Sequence, residues 1–128
     1  MERQEIGGAM LRPEVAAKVA EHYEHARRKH PYFADGLFLW GDSAKDAGRT
    51  LAGMRGILAI EKPKGRVLAE TVLNCEIAEV AVAYASGDKP HAVEECYDAI
   101  AVLLRMVDVI EGRQALGNCN GESAKEAK

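Results

Sequence analysis

The sequence lacks three features that would each assign it to a class of protein. It has no excess of positive charge, because 17 lysines and arginines stand against 20 aspartates and glutamates, for a net charge of −3. A nucleic acid is therefore not an expected partner. No apolar run approaches the length of a membrane helix, and the N-terminus has neither the basic nor the apolar region of a signal peptide. We expect a cytoplasmic protein with no membrane partner.

Cysteine is also scarce, and the three cysteines show no paired spacing. An odd number of cysteines without a metal-binding pattern is typical of reduced thiols in the cytosol. The chain has no glycine-rich phosphate loop, no nucleophile elbow and no internal repeat. These absences leave the acidic residues as the one group in the sequence with evident chemistry.

Length and composition indicate one compact domain followed by a polar tail. The chain has 128 residues, of which 48% are hydrophobic and 29% charged, as in ordinary globular proteins. Apolar residues recurring every three or four positions predict an all-α fold. The four predicted helices cover about residues 13–30, 43–61, 66–86 and 90–111. We expect a single domain over residues 1–112 and a flexible tail over residues 113–128.

Four acidic residues occupy matched positions on the last two helices. Glu76 and Glu79 are three residues apart, as are Glu95 and Asp98, so each pair lies on one helix face. The turn-forming segment Ser86–Pro90 between the pairs predicts an antiparallel helical hairpin. In such a hairpin Glu76 is level with Asp98, and Glu79 is level with Glu95, because the members of each pair are equally far from the turn. We therefore expect all four carboxylates to line one cleft.

The surroundings of these acids predict a metal site. The two helices are apolar on nearly every side, which is typical of buried helices. A buried, ionised carboxylate must be paired, neutralised or bound to a metal. Arg105 is a single nearby arginine, so four acids leave an excess of negative charge. Oxygen ligands, with no histidine or cysteine at the matching positions, favour Mg²⁺ or Mn²⁺ over Zn²⁺.

The pattern Glu-x-x-Glu, a spacer and Glu-x-x-Asp resembles the signature of the all-α nucleoside triphosphate pyrophosphohydrolase superfamily. This superfamily includes MazG-type enzymes, dimeric dUTPases, dCTP pyrophosphatases and phosphoribosyl-ATP pyrophosphohydrolases. The resemblance covers about residues 66–112, and the four acids match position for position. Two departures stand out. Cys75 occupies a position where many members carry an acid or glycine, and the lysine-rich segment of the phosphoribosyl-ATP enzymes has no clear counterpart.

The resemblance implies a four-helix, bundle-like MazG-type fold whose acidic hairpin holds Mg²⁺ through Glu76, Glu79, Glu95 and Asp98. It implies cleavage between the α and β phosphates of a nucleotide substrate, giving a nucleoside monophosphate and pyrophosphate, with one glutamate orienting the attacking water. It also implies a homodimer or homotetramer, and the apolar character of the last two helices independently favours such an interface. The alternatives are a phosphoribosyl-ATP pyrophosphohydrolase, a non-catalytic metal- or nucleotide-binding protein, and a purely structural bundle.

Residues outside the acidic motif are candidates for binding the substrate. An aromatic segment contains Phe38 and Trp40, which either contact a nucleobase or fill the end of the bundle. Lys62 and Lys64 lie in a basic turn and either bind phosphate or face solvent. Arg105 lies two helical turns beyond the last acid, where it either meets a phosphate or neutralises the acids.

Overall fold

The computed structural model describes residues 5–6, 9–33, 37–38 and 43–113. The α-helices of this part of the chain are α1 (Pro13–Lys29), α2 (Ala44–Glu61), α3 (Ala69–Ala85) and α4 (Lys89–Ile110). A single turn of 3-10 helix, Lys62–Lys64, follows α2, and two short strands, β1 (Glu5–Ile6) and β2 (Ala9–Met10), pair in antiparallel orientation. The predicted all-α fold of four helices, with an antiparallel hairpin formed by α3 and α4, is confirmed.

The chain divides into two compact units, residues 1–37 and residues 38–128. The first unit contains β1, β2 and α1, and none of the residues of α1 is buried. The second unit contains α2, α3 and α4, with α3 packed against both of the other helices. The single domain over residues 1–112 stays a prediction, and nearly all of the predicted tail lies outside the described residues.

The hairpin turn follows directly from the local sequence. Gly87 has φ of 81°, a left-handed conformation that glycine adopts without strain, and it ends α3. Asp88 then begins α4, because its carboxylate accepts a hydrogen bond from the backbone N–H of His91 at 3.2 Å. Ser43 caps α2 in the same way by accepting from the N–H of Asp46 at 3.2 Å. These caps set where the helices begin and therefore how the side chains of α3 and α4 align.

Glu61, the last residue of α2, caps the start of the next long helix. Its carboxylate accepts hydrogen bonds from the N–H of Leu68 at 3.1 Å and from the hydroxyl of Thr71 at 2.8 Å. Leu68 is the N-cap residue of α3 and makes no side-chain cap hydrogen bond, and the Glu61 carboxylate places a favourable negative charge at this end of the helix. This contact fixes α2 beside α3 in a register that brings Arg55 next to the acids of α3.

Small side chains form most of the core of the second unit. The buried residues are Ala47, Leu51, Thr71, Cys75, Ala78, Val80, Ala81, Ala83 and Ala92. Most of them belong to α3, which lies between α2 and α4. Small residues in this position let the three helices approach one another closely, and this proximity brings polar side chains of neighbouring helices into contact.

Helix α4 differs from the buried helix that its composition predicts. Ala92 is its one buried residue, because in the described part of this unit α4 packs against α3 alone. Large apolar side chains follow its outer side at spacings of three and four residues. We call this set the α4 stripe: Val93, Tyr97, Ile100, Leu103, Val107 and Ile110, which are 37–79% exposed. None of the described helices is both long and apolar enough to cross a membrane.

Candidate metal centre

The hairpin brings three of the four predicted acids together. Glu76 and Glu79 on α3 and Glu95 on α4 each have a carboxylate oxygen within 4.8 Å of those of the other two. All three residues are partly buried, and the side chains of Glu79 and Glu95 are only 25% and 15% exposed. Glu79 and Glu95 are equally far from the hairpin turn, which explains why they meet. We call these three glutamates the acidic centre.

Asp98, the fourth predicted ligand, lies at the edge of this group. Asp98 is exposed. Among the described residues, its carboxylate is not one of those that lie within 4.8 Å of one another. Asp98 lies nearly one helical turn beyond Glu95, at a more exposed position of α4. Its charge nevertheless reaches the acidic centre, because it raises the pKa values of Glu76 and Glu95.

Two carboxylate oxygens of the acidic centre are buried without a hydrogen-bond partner among the described atoms. They are Oε1 of Glu76 and Oε1 of Glu95. An unpaired, buried carboxylate oxygen is costly, and a cation or a proton relieves the cost. Oxygen atoms from carboxylates are also the ligands that Mg²⁺ and Mn²⁺ prefer. The residues present therefore fit a hard divalent cation.

Two residues that the sequence analysis did not identify form hydrogen bonds with carboxylates of the acidic centre. Arg55 on α2 donates from Nη2 to Oε2 of Glu79 at 3.0 Å. His91 donates from Nε2 to Oε2 of Glu95 at 2.7 Å. The pair on α4 has the four-residue spacing of helix neighbours, which is a signal visible in the sequence. Arg55 lies 24 residues from Glu79, so its role depends on the packing of α2 against α3.

Burial and crowding shift the pKa values of the acidic centre. Burial first, and then the nearby Glu79 and other acids, raise the pKa of Glu76 from 4.5 to about 7. Burial acts on Glu79 in the same direction, but hydrogen bonds led by that from Arg55 outweigh it and lower the Glu79 pKa. Burial raises the pKa of Glu95 despite the hydrogen bond from His91, and this hydrogen bond raises the His91 pKa. Without a metal, Glu76 is thus expected to hold a proton below about pH 7.

A cavity of about 340 Å³ opens beside the acidic centre. Leu51 contributes to its apolar wall, together with residues of α3. Its charged lining comes from all three helices of the unit: Arg55, Glu79, Asp88, His91 and Glu95. Cavities that bind small molecules begin at about 300 Å³ and combine an apolar wall with a few polar groups. The cavity therefore provides room for a ligand in contact with two of the three acids.

Phe38, one of the two predicted aromatic residues, does not line this cavity. Phe38 packs against the core residues Val80, Ala83 and Ala92, and its ring centroid lies 6.4 Å from that of Tyr84. The sequence allows Phe38 either to contact a nucleobase or to fill the end of the bundle. In the structure it takes part in apolar packing at the hairpin. Trp40 lies outside the described residues.

The predicted phosphate-binding residues also lie elsewhere. Lys62 and Lys64 are exposed in the 3-10 turn, and Arg105 is exposed on α4. None of these three described residues lines the cavity, whereas Arg55 does. A run of basic residues in a turn is easy to recognise in a sequence, but its side chains can face solvent and need not contact a ligand.

Comparison with models of protein families, with curated proteins and with solved structures finds no match for this chain. The resemblance to the pyrophosphohydrolase superfamily, including the MazG-type label for the fold, therefore stays a prediction based on residues 66–112. The acidic centre and its cavity are the observations from which a function is inferred.

The stability of the metal-free protein is expected to fall as the pH rises from about 4.5 to about 7. In this window folded Glu76 keeps a proton that the unfolded chain has released, so the free energy of unfolding decreases with pH. Glu76→Gln removes the Glu76 contribution to this dependence and raises stability at pH 8 by about 1 kcal/mol, a modest value because solvent screens a partly exposed carboxylate. The dependence that remains comes from the raised pKa values of Glu95 and His91. Urea unfolding followed by circular dichroism with EDTA measures both effects.

The matched control for this prediction is Glu70→Gln, which changes an exposed carboxylate in the first turn of the same helix. This variant is expected to keep the wild-type dependence on pH. A Glu76→Gln protein whose stability follows pH in parallel with the wild type would contradict the prediction.

Proposed function

We propose that this protein is a Mg²⁺-dependent nucleoside triphosphate pyrophosphohydrolase, with Mn²⁺ as an alternative ion. It cleaves the α–β phosphoanhydride to give a nucleoside monophosphate and pyrophosphate. The acidic centre supports this proposal most directly, because two of its buried oxygens have no partner and it borders a cavity that also contains an arginine. The agreement of the acids with the superfamily motif supports the choice of reaction.

The three glutamates of the acidic centre would hold the cation, and the nearby charge of Asp98 would add to its attraction. Bound Mg²⁺ neutralises charge on the phosphate oxygens and promotes attack by water. One of the glutamates orients that water and accepts its proton. In the metal-free protein, His91 holds one oxygen of Glu95 and Arg55 holds one oxygen of Glu79. Such partners keep ligand carboxylates in a fixed orientation.

Turnover is tested by pyrophosphate release from ribo- and deoxyribonucleoside triphosphates and from phosphoribosyl-ATP, with Mg²⁺, Mn²⁺ or EDTA. We expect pyrophosphate release from one group of these substrates, and only when Mg²⁺ or Mn²⁺ is present. Glu79→Gln and Glu95→Gln should each lower kcat by about 100-fold or more, since each removes charge from the acidic centre. Asp98→Asn should have a smaller effect, because Asp98 is exposed at the edge of the centre.

Glu94→Gln is the matched control, because Glu94 is an exposed neighbour of Glu95. It is expected to leave turnover unchanged. Full activity of Glu79→Gln would remove the acidic centre from the mechanism. Silence across all substrates, with Mn²⁺ binding intact, would instead support the non-catalytic metal- or nucleotide-binding alternative.

We also propose that the protein is a homodimer, or a homotetramer built from such dimers, whose subunits meet at the α4 stripe. The stripe runs along a helix of 22 residues, which is about 33 Å long. A large exposed apolar surface of this kind is typical of an interface, and the same surface on two copies is self-complementary around a two-fold axis. Pairing of two copies would give α4 the buried environment that its composition predicts.

Leu103→Glu is expected to convert the assembly to a monomer, because it places a charge in the middle of the α4 stripe. Ala101→Glu is the control, since it adds the same carboxylate to the polar side of α4, near Arg105. Size-exclusion chromatography with light scattering at micromolar concentration gives the mass of each form. A monomeric wild-type protein would count against this assembly.

A further inference from the structure

Arg55 lies at the junction between the acidic centre and the cavity. It follows Leu51 by one helical turn on the same side of α2, and Leu51 is buried against α3. The Arg55 side chain reaches Glu79, to which it donates at 3.0 Å, yet remains 60% exposed. A buried anchor one turn away thus holds the guanidinium over the edge of the cavity.

Most of the charged residues that line the cavity with Arg55 are acidic. Glu79, Asp88 and Glu95 contribute negative charge to the described lining. His91 is already engaged, with Nε2 2.7 Å from Glu95 and Nδ1 3.8 Å from Asp88. Arg55 is the one described lining residue that is always positively charged, and its hydrogen bond to Glu79 uses one of five N–H donors. Its remaining donors are available to an anionic ligand.

We infer that Arg55 binds the phosphate chain of the nucleotide, and that it leaves Glu79 for phosphate when a divalent cation occupies the acidic centre. This inference rests on the proposed function. The cation and the guanidinium require the same carboxylate and repel each other, so metal binding weakens the Arg55 contact. Arginine matches phosphate through paired hydrogen bonds, which makes phosphate its natural new partner.

This exchange couples the binding of the metal to the binding of the polyphosphate. Without the cation, Arg55 neutralises Glu79 and the cavity carries net negative charge, which disfavours a polyphosphate. With the cation present, Glu79 is neutralised by the metal and Arg55 becomes a phosphate ligand. Metal and polyphosphate should therefore bind cooperatively, and this cooperativity should depend on Arg55 rather than on Lys62, Lys64 or Arg105, which lie outside the cavity lining.

The experiment compares two affinities in the full-length protein. Electron paramagnetic resonance of free Mn²⁺ gives the affinity for the metal alone. Calorimetry of Mn²⁺-saturated protein with inorganic tripolyphosphate gives the affinity for a phosphate chain without a base. Arg55→Ala should leave Mn²⁺ affinity unchanged or higher, because a competing cation is removed, and should weaken tripolyphosphate binding by about 10-fold or more. Arg55→Lys should recover part of the loss.

Arg49→Ala is the matched control, because Arg49 is an exposed arginine on the same helix that pairs with Asp46 at 3.3 Å. It should change neither affinity. Equal weakening of Mn²⁺ and tripolyphosphate binding by Arg55→Ala would mean that Arg55 only positions Glu79, and would overturn the inference. An unchanged tripolyphosphate affinity would also overturn it. A wild-type protein that does not bind Mn²⁺ overturns the proposed function and the inference together.

Discussion

The close approach of three carboxylates is the main electrostatic constraint on the hairpin of α3 and α4. Glu76, Glu79 and Glu95 lie within 4.8 Å of one another although like charges at this distance repel. Small residues of α3 permit the close packing of the hairpin, and Arg55 and His91 each hold one carboxylate in place. A divalent cation, as proposed for this centre, would relieve the repulsion between the three carboxylates.

The sequence predicts the parts of this site that depend on local spacing. The acids three residues apart, the glycine that ends α3 and the cap formed by Asp88 all act within one or two helical turns, and they define the hairpin. The site residue Arg55 and the capping residue Glu61 could not be found in this way, because each acts on a different helix. The spacing places Asp98 level with Glu76, but in the structure Asp98 is exposed at the edge of the centre.

Helix α4 links the site to the proposed assembly. Glu95 is largely buried beside α3, whereas the α4 stripe is exposed on the outer side of the same helix. In the described part of the second unit α4 packs against α3 alone, and the position of Glu95 depends mainly on contacts with α3. Burial of the stripe by a second copy would restrain the helix from the other side, so assembly and order in the acidic centre would be thermodynamically linked.

The most direct measurement is a titration of Mn²⁺ into the wild-type protein and into the double variant Glu79→Gln/Glu95→Gln at pH 8, followed by electron paramagnetic resonance. We expect saturable binding by the wild type that weakens below about pH 7, where Glu76 takes up a proton, and loss of this binding in the double variant. The same Mn²⁺ affinity in both proteins would show that the acidic centre is not the metal site.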